Sequence, residues 1–171
     1  MGEFDFLNLI STVALFTVMI WLCIYDFKYK AVPDYLLLIV FILSFFVSPY
    51  PFLESLKYGL LFAGAFVLLN FILTFYIQNI KARIYKDESL KTQEALGEGD
   101  IPFIASMGII LGTFEGVVSL FLAAIFAIIP SIYARVINKD LQIPFIPYLF
   151  LGFLCGYLFD LESLLKVINW S

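Results

Sequence analysis

The sequence predicts an all-α, polytopic membrane protein with about six transmembrane helices. Of its 171 residues, 63% are hydrophobic and 14% are charged, and the mean hydropathy is +1.00. A soluble domain is usually about half apolar and about a quarter charged. The apolar residues fall into six runs separated by polar links, and a helix needs roughly 20 apolar residues to cross a bilayer. We therefore expect one integral membrane domain that occupies residues 1–171.

The polar links define the predicted spans. The first span is followed by a short link that begins at Asp26, and the second by Ser48–Pro51, where two prolines cannot continue a helix. The longest polar stretch, Lys81–Gly99, separates the third span from the fourth, and we expect it to be a short cytoplasmic segment. The six predicted spans are Leu7–Tyr25, Tyr35–Val47, Tyr58–Ile80, Ile101–Leu111, Val117–Val136 and Pro144–Phe159.

The fourth apolar run is short, which leaves an alternative topology open. At ~1.5 Å per residue it covers only about half of a ~30 Å hydrocarbon core unless the helix continues through Gly112–Phe114. A re-entrant hairpin over Ile101–Gly116 is the alternative. It would move the basic residues that follow the fifth run to the opposite side of the membrane.

The distribution of basic residues predicts the orientation. With six spans, the links after spans one, three and five share one side and hold eight of the ten basic residues. A re-entrant hairpin would reduce this to seven of the ten. Because lysine and arginine accumulate in cytoplasmic loops, we expect this side to be the cytoplasm and both termini to lie outside the cell membrane. The eight residues are Lys28, Lys30, Lys81, Arg83, Lys86, Lys91, Arg135 and Lys139.

The residue types present exclude several kinds of chemistry. The chain has no histidine, which removes the commonest metal ligand and the commonest general base. Cys23 and Cys155 stand alone in apolar runs, so the sequence predicts neither a disulfide framework nor a zinc site. We expect no metal, no cofactor and no nucleic-acid partner. Acid–base chemistry must then rest on carboxylates, tyrosine or lysine.

Two aspartates lie at the ends of predicted spans on the same side of the membrane. Asp26 ends span one, and Asp100 opens span four. Charged groups at such a depth are costly and are usually functional. Two nearby carboxyl groups there cannot easily both ionise, so one acts as base and the other as acid, as in aspartic proteases. A simpler alternative is that Asp100 only caps the following helix, with Pro102 in its first turn.

Three elements of the sequence resemble those of the type IV prepilin peptidases, including the archaeal preflagellin peptidases. The segment from Asp26 to Asp34 looks like their D-x5-[IL/V]-P-[DN] element. Gly97–Asp100 matches their GxGD element, and Ile143–Leu149 looks like the stretch that precedes their last span. The three elements occur in the family's order and extend over nearly the whole chain.

The resemblance implies an intramembrane aspartyl endopeptidase that cuts prepilin-like or preflagellin-like precursors at the cytoplasmic membrane face. It implies that Asp26 and Asp100 are the catalytic pair. The leader of such a precursor is basic and adjoins a long apolar helix, so the scissile bond lies at the membrane interface. Asp34 is then a structural neighbour, which we interpret as the cap of span two. The other residues expected to bind substrate or to support the site are Pro33, Gly97, Glu98, Gly99, Pro144 and Pro147.

The chain also departs from the pattern of that family. Pro102 stands where many members have a lysine, and Ile146 stands where a small glycine is common. Neither change touches the two aspartates. Gly97 and Gly99 are still expected to permit a tight turn and to give the substrate backbone access. The cysteine-rich segment of the large bacterial enzymes has no counterpart here, so the resemblance implies the short, peptidase-only form without methyltransferase activity.

Two other functions stay open at this point. The first is suggested by Tyr25-Asp26 and the GxGD element, which resemble elements of the presenilin and signal-peptide-peptidase enzymes. Those enzymes need more spans than this chain can hold, and they have a PAL tripeptide that this chain lacks. The second is a non-enzymatic proton-coupled carrier or assembly subunit that uses the aspartates as proton sites. Carriers usually hold ionisable groups near the midplane and often contain repeats. Here both aspartates fall at span ends, and no repeat is found.

Overall fold

The computed structural model describes residues 3–81, 83, 97, 99–137 and 144–159, and the regular secondary structure in these residues is entirely helical. Three helices are long and apolar enough to cross a membrane, and two more are shorter and apolar. The predicted all-α fold of a membrane protein is therefore confirmed. The helices are α1 (Glu3–Tyr29), α2 (Asp34–Val47), α3 (Phe52–Phe75, continued by a π-helical segment, Tyr76–Lys81), α4 (Asp100–Ile137) and α5 (Ile146–Leu158).

Helix α2 and the first half of α4 lie side by side and run in the same direction. Near their first residues, a methyl group placed on Gly99 would lie 3.7 Å from Leu37. Near the other end of α2, the hydroxyl of Ser48 donates a hydrogen bond of 2.7 Å to the carbonyl of Ile109. Helix α3 packs closely on the same half of α4, where Gly59 faces the side chain of Ile109. Helices α2 and α3 thus flank the start of α4.

Helix α4 bends sharply at Gly112, which has φ 73° and ψ −167°. This conformation is nearly restricted to glycine. The contacts of Phe62 show how sharp the bend is, because its ring lies against both Gly108 and Gly116. In a straight helix these two positions would be separated by ~12 Å along the axis. The two halves of α4 therefore fold back toward each other.

The bend lies where the sequence predicts a boundary between two spans. The predicted spans Ile101–Leu111 and Val117–Val136 correspond to the two halves of α4, which join at Gly112 without an intervening loop. Counted with α4 as one bent helix, the described residues form five helices. The physical reason is that one glycine with a positive φ reverses the chain without a polar loop. The predicted cytoplasmic segment between the third and fourth spans lies largely outside the described residues.

We predict that Gly112→Ala destabilises the protein measurably. The methyl group would lie 2.6 Å from the hydroxyl oxygen of Tyr50, and the backbone angles would strain any residue with a Cβ. Such strain costs about 1–3 kcal/mol. The free energy of unfolding in detergent should fall by about that amount. Gly64→Ala is the matched control, because nothing lies within 4 Å of its added methyl group. Equal stability of the two variants would show that the bend imposes no strain.

Helix α5 packs against the second half of α4 through small residues. A methyl group on Gly152 would overlap the carbonyl of Ser119 and lie 2.8 Å from the Cβ of Ala123. A methyl group on Gly156 would overlap the side chain of Ser119. Small residues four apart let two helices approach closely in a membrane. Because Ser119 faces both glycines and Ala123 faces the earlier one, α5 and this half of α4 run antiparallel.

Candidate active site

Asp26 lies in the last turn of α1, and its carboxylate holds the beginning of α5 in place. The helix ends where Lys30 adopts a positive φ of 51° and donates its N–H to the carbonyl of Asp26 at 2.8 Å. The side chain is buried, with 5% of its surface exposed. Its Oδ2 accepts a hydrogen bond of 3.0 Å from the backbone N–H of Ile146, the first residue of α5. A carboxylate is favoured at this end of a helix, where free N–H groups and the helix dipole carry partial positive charge.

Asp100 is the first residue of α4 and is also buried, with 9% of its surface exposed. Its N–H donates a hydrogen bond of 3.2 Å to the carbonyl of Gly97, which closes a turn at the start of the helix. Pro102 lies in the first turn of the helix, as predicted. A proline is tolerated there because its missing N–H has no partner within the helix. The helix therefore begins with a carboxyl group that is largely shielded from solvent.

The structure brings the two aspartates together. The last turn of α1, the first residue of α4 and the first residue of α5 meet at one end of the helices. The two side chains lie close enough for their carboxyl groups to interact electrostatically. The predicted juxtaposition of Asp26 and Asp100 is therefore present in the fold, and their catalytic role stays a prediction. Within the described ranges, no three cysteine, aspartate or glutamate side chains are grouped so that they would hold a metal ion.

The structure does not support the predicted capping role of Asp34. Pro33 occupies the N-cap position of α2, with φ −73° and ψ 126°, and no side chain caps this helix. Asp34 is the first helical residue and is exposed. The prediction was wrong because the fixed φ of a proline also suits a helix start, so the acidic residue shifts one position into the helix. There it lies in the first turn, where a negative charge is favoured.

The remaining predicted residues are placed in different ways. Pro144 is half-buried just before α5, and Pro147 is buried in its first turn. Gly97 lies against Asp100, because a methyl group on it would be 3.4 Å from Oδ2 of that aspartate. Gly99 faces Leu37 and Val32 at ordinary contact distances. Glu98 lies outside the described residues.

A cleft of about 670 Å³ opens beside Asp100 between α2, α3 and the start of α4. Its wall includes Gly99, the residue that precedes Asp100, and its surface is mostly apolar. Asp34 is the charged residue among the described residues that line it. The volume lies within the range typical of ligand-binding clefts. The lining residues are Asp34, Tyr35, Leu37, Leu38, Phe41, Ala63, Gly99, Ile101, Pro102 and Ala105.

Sequence reasoning missed the residues that fix the geometry of the site. The hydrogen bond from Ile146 to Asp26 joins positions 120 apart through a backbone group, which no sequence motif reports. The close contact of α4 with α5 positions Ile146. Unlike the hydrogen bond, this contact is indicated by a pattern in the sequence. Gly152 and Gly156 have the GxxxG spacing that is typical of tightly packed membrane helices.

Comparison with known proteins identifies the family. Residues 13–132 match the model of the type IV leader peptidase family. The match covers 120 of the 171 residues and includes both Asp26 and Asp100. No curated protein matches the chain, and no solved structure does either. The match favours a leader peptidase over the two other functions that the sequence left open. This chain belongs to the type IV leader peptidase family and is an aspartic-type endopeptidase of the prepilin leader peptidase kind.

Proposed function

We propose that the protein removes the basic leader from prepilin-like or preflagellin-like precursors, and that Asp26 and Asp100 activate the attacking water as a dyad. The observation that carries the proposal is the proximity of these two buried side chains at one end of the helices. Family membership supports leader cleavage as the reaction. A pair of carboxyl groups that shares one proton supplies both the base and the acid that hydrolysis of a peptide needs.

In the proposed mechanism, the pair holds one proton throughout. The ionised carboxylate takes a proton from water as the water oxygen attacks the scissile carbonyl carbon, and the other carboxyl group gives its proton to the carbonyl oxygen. In the second step the C–N bond breaks. The amine nitrogen then receives a proton from the first carboxyl group, and the second recovers one from the intermediate.

We further propose that the chain crosses the membrane six times with the dyad at the cytoplasmic face and both termini outside. The bend at Gly112 supports this topology, because it lets the two halves of α4 cross the membrane in opposite directions. The distribution of basic residues supports the orientation. The first half of α4 is short for a full crossing, but the second half and α3 flank it and reduce its contact with lipid.

Cleavage of a co-expressed precursor tests the proposed function. We expect the protein to release a leader whose mass places the cut at the junction between the basic and the apolar segment. We expect a chelator to leave the cleavage rate unchanged, because the proposed chemistry uses no metal. Impermeant maleimide, applied to variants without Cys23 and Cys155, tests the orientation. It should label Pro49→Cys from outside and Ala31→Cys only after permeabilisation. Cleavage elsewhere, or the reverse labelling pattern, would contradict the proposal.

A further inference from the structure

The cleft beside Asp100 is lined mostly by apolar residues, and its acidic residue, Asp34, lies at the end where α2 begins, which we call its mouth. One wall is a face of α2 that runs from Asp34 to Phe41, and the other is the first turn and a half of α4. Ala63 of α3 lies between these walls. The seven steps from Asp34 to Phe41 rise ~10 Å, so the cleft holds about three residues of an extended chain. From the end that holds the dyad, the cleft therefore extends along α2 and α4.

The charge at the mouth is available to a ligand. Asp34 is exposed, and the structure gives it no hydrogen bond or ion pair within the described residues. It lines the cleft together with Gly99, the neighbour of Asp100 in the chain. Asp34 and the start of α4 therefore lie at the same end of the cleft, and apolar residues line the rest of it.

A cleft with an acidic residue at one end and apolar walls beyond it suits a peptide segment in which a basic residue is followed by apolar residues. We propose that the cleft binds the apolar residues that follow the scissile bond of the precursor, and that Asp34 binds a basic residue of the leader at the mouth. The inference rests on the proposed leader peptidase function and adds the substrate-binding surface to it. Charge complementarity and the order of the two chemistries along the cleft carry it. A lipid chain would use the apolar walls but would gain nothing from the position of Asp34 relative to the dyad.

Enlarging one side chain in the cleft tests the apolar part of this inference. Ala63→Phe fills the cleft, whereas Ala65→Phe places the same ring on an exposed face of α3, two residues away. For the wild-type precursor we expect Ala63→Phe to raise KM by about tenfold or more with little change in kcat, because it displaces at least one buried apolar side chain of the substrate. Ala65→Phe should stay within about twofold of wild type. Equal KM values for the two variants would overturn the proposal and would indicate that lipid occupies the cleft.

Charge reversal tests the role of Asp34. We expect Asp34→Lys to lower kcat/KM for a basic leader by about fivefold to tenfold, since exposed ion pairs are modest and the reversed charge adds repulsion. A precursor with glutamate in place of the basic residue nearest the cut should recover most of this loss with Asp34→Lys and should be cut poorly by the wild-type protein. A purely structural effect would lower cleavage of both precursors equally, and that result would overturn the assignment of Asp34.

Photo-crosslinking gives a readout that does not depend on how a cleft variant folds. A photoreactive residue placed directly after the scissile bond should crosslink to residues 34–41 or 99–105 of the otherwise wild-type protein. Crosslinks confined to other helices would overturn the proposal. Failure of the cleft assignment leaves cleavage by the wild-type protein intact. Failure of the proposed function would appear instead as an absence of any leader cleavage, so the two results are distinguishable.

Discussion

Asp26→Asn and Asp100→Asn should each lower the rate of leader cleavage by about three orders of magnitude. The expected size comes from general acid–base catalysis, which typically contributes 10²–10⁴-fold. Asparagine preserves the shape of each side chain and removes only its capacity to exchange a proton. At position 26 it also retains an oxygen that can accept the N–H of Ile146, so the beginning of α5 should stay in place. Single-turnover cleavage of a precursor in detergent measures the loss.

Asp26→Ala separates the structural role of this residue from its chemistry. Alanine removes the acceptor for the Ile146 N–H, and a buried N–H that loses its partner costs about 1–3 kcal/mol. We therefore expect Asp26→Ala to be both inactive and less stable, whereas Asp26→Asn is inactive at near wild-type stability. If Asp26→Asn kept most of the cleavage rate, Asp26 would be a helix cap without a catalytic role. Asp34→Asn removes a carboxyl group outside the dyad and should lose no more cleavage than Asp34→Lys does.

Gly152→Leu should have the largest effect on stability. The added side chain would overlap the carbonyl of Ser119 and the backbone of Ala123, which cannot move without displacing α4 from α5. Overpacking of a tight contact costs typically 1–3 kcal/mol and occasionally more. We expect the free energy of unfolding to fall by about 3 kcal/mol or more. Displacement of α5 would also move Ile146 away from Asp26, so leader cleavage should be lost as well.

Gly64→Leu is the control for the interface between α4 and α5. It introduces the same side chain on an exposed face of α3, where nothing lies within 4 Å of the new Cβ. We expect its stability to stay within about 0.5 kcal/mol of the wild-type value, as for most surface substitutions. Denaturant titration of the two variants and the wild-type protein in the same detergent measures both changes. Similar losses in the two variants would mean that the contact between α4 and α5 does not stabilise the fold.

The chemistry of the candidate site could be predicted from the sequence because polar residues are conspicuous in an apolar chain. Asp26 and Asp100 stand at the ends of apolar runs, and a chain without histidine has few other groups for acid–base chemistry. Their placement on one side followed from counting spans and basic residues. The structure places the two aspartates together, so this part of the reasoning needed no knowledge of the fold.

The geometry could not be predicted because it depends on contacts between helices. Gly112 looks like an ordinary residue at the end of an apolar run, and only its positive φ shows that it bends α4. Asp34 was predicted to cap α2 but is its first helical residue, and hydropathy does not resolve a difference of one position at a helix start. The N–H that holds Asp26 belongs to Ile146, whose side chain gives no hint of a polar role. Apolar patterning identifies helices, but it does not report which backbone groups they present to one another.

The single-turnover cleavage rate of the double variant Asp26→Asn, Asp100→Asn tests the shared action of the two aspartates most directly. Residues that act as one unit show strongly non-additive losses. If the carboxyl groups act on the same water, the double variant should be no slower than the slower of the two single variants. Losses that multiply in the double variant would contradict the dyad and would indicate that the two aspartates contribute independently.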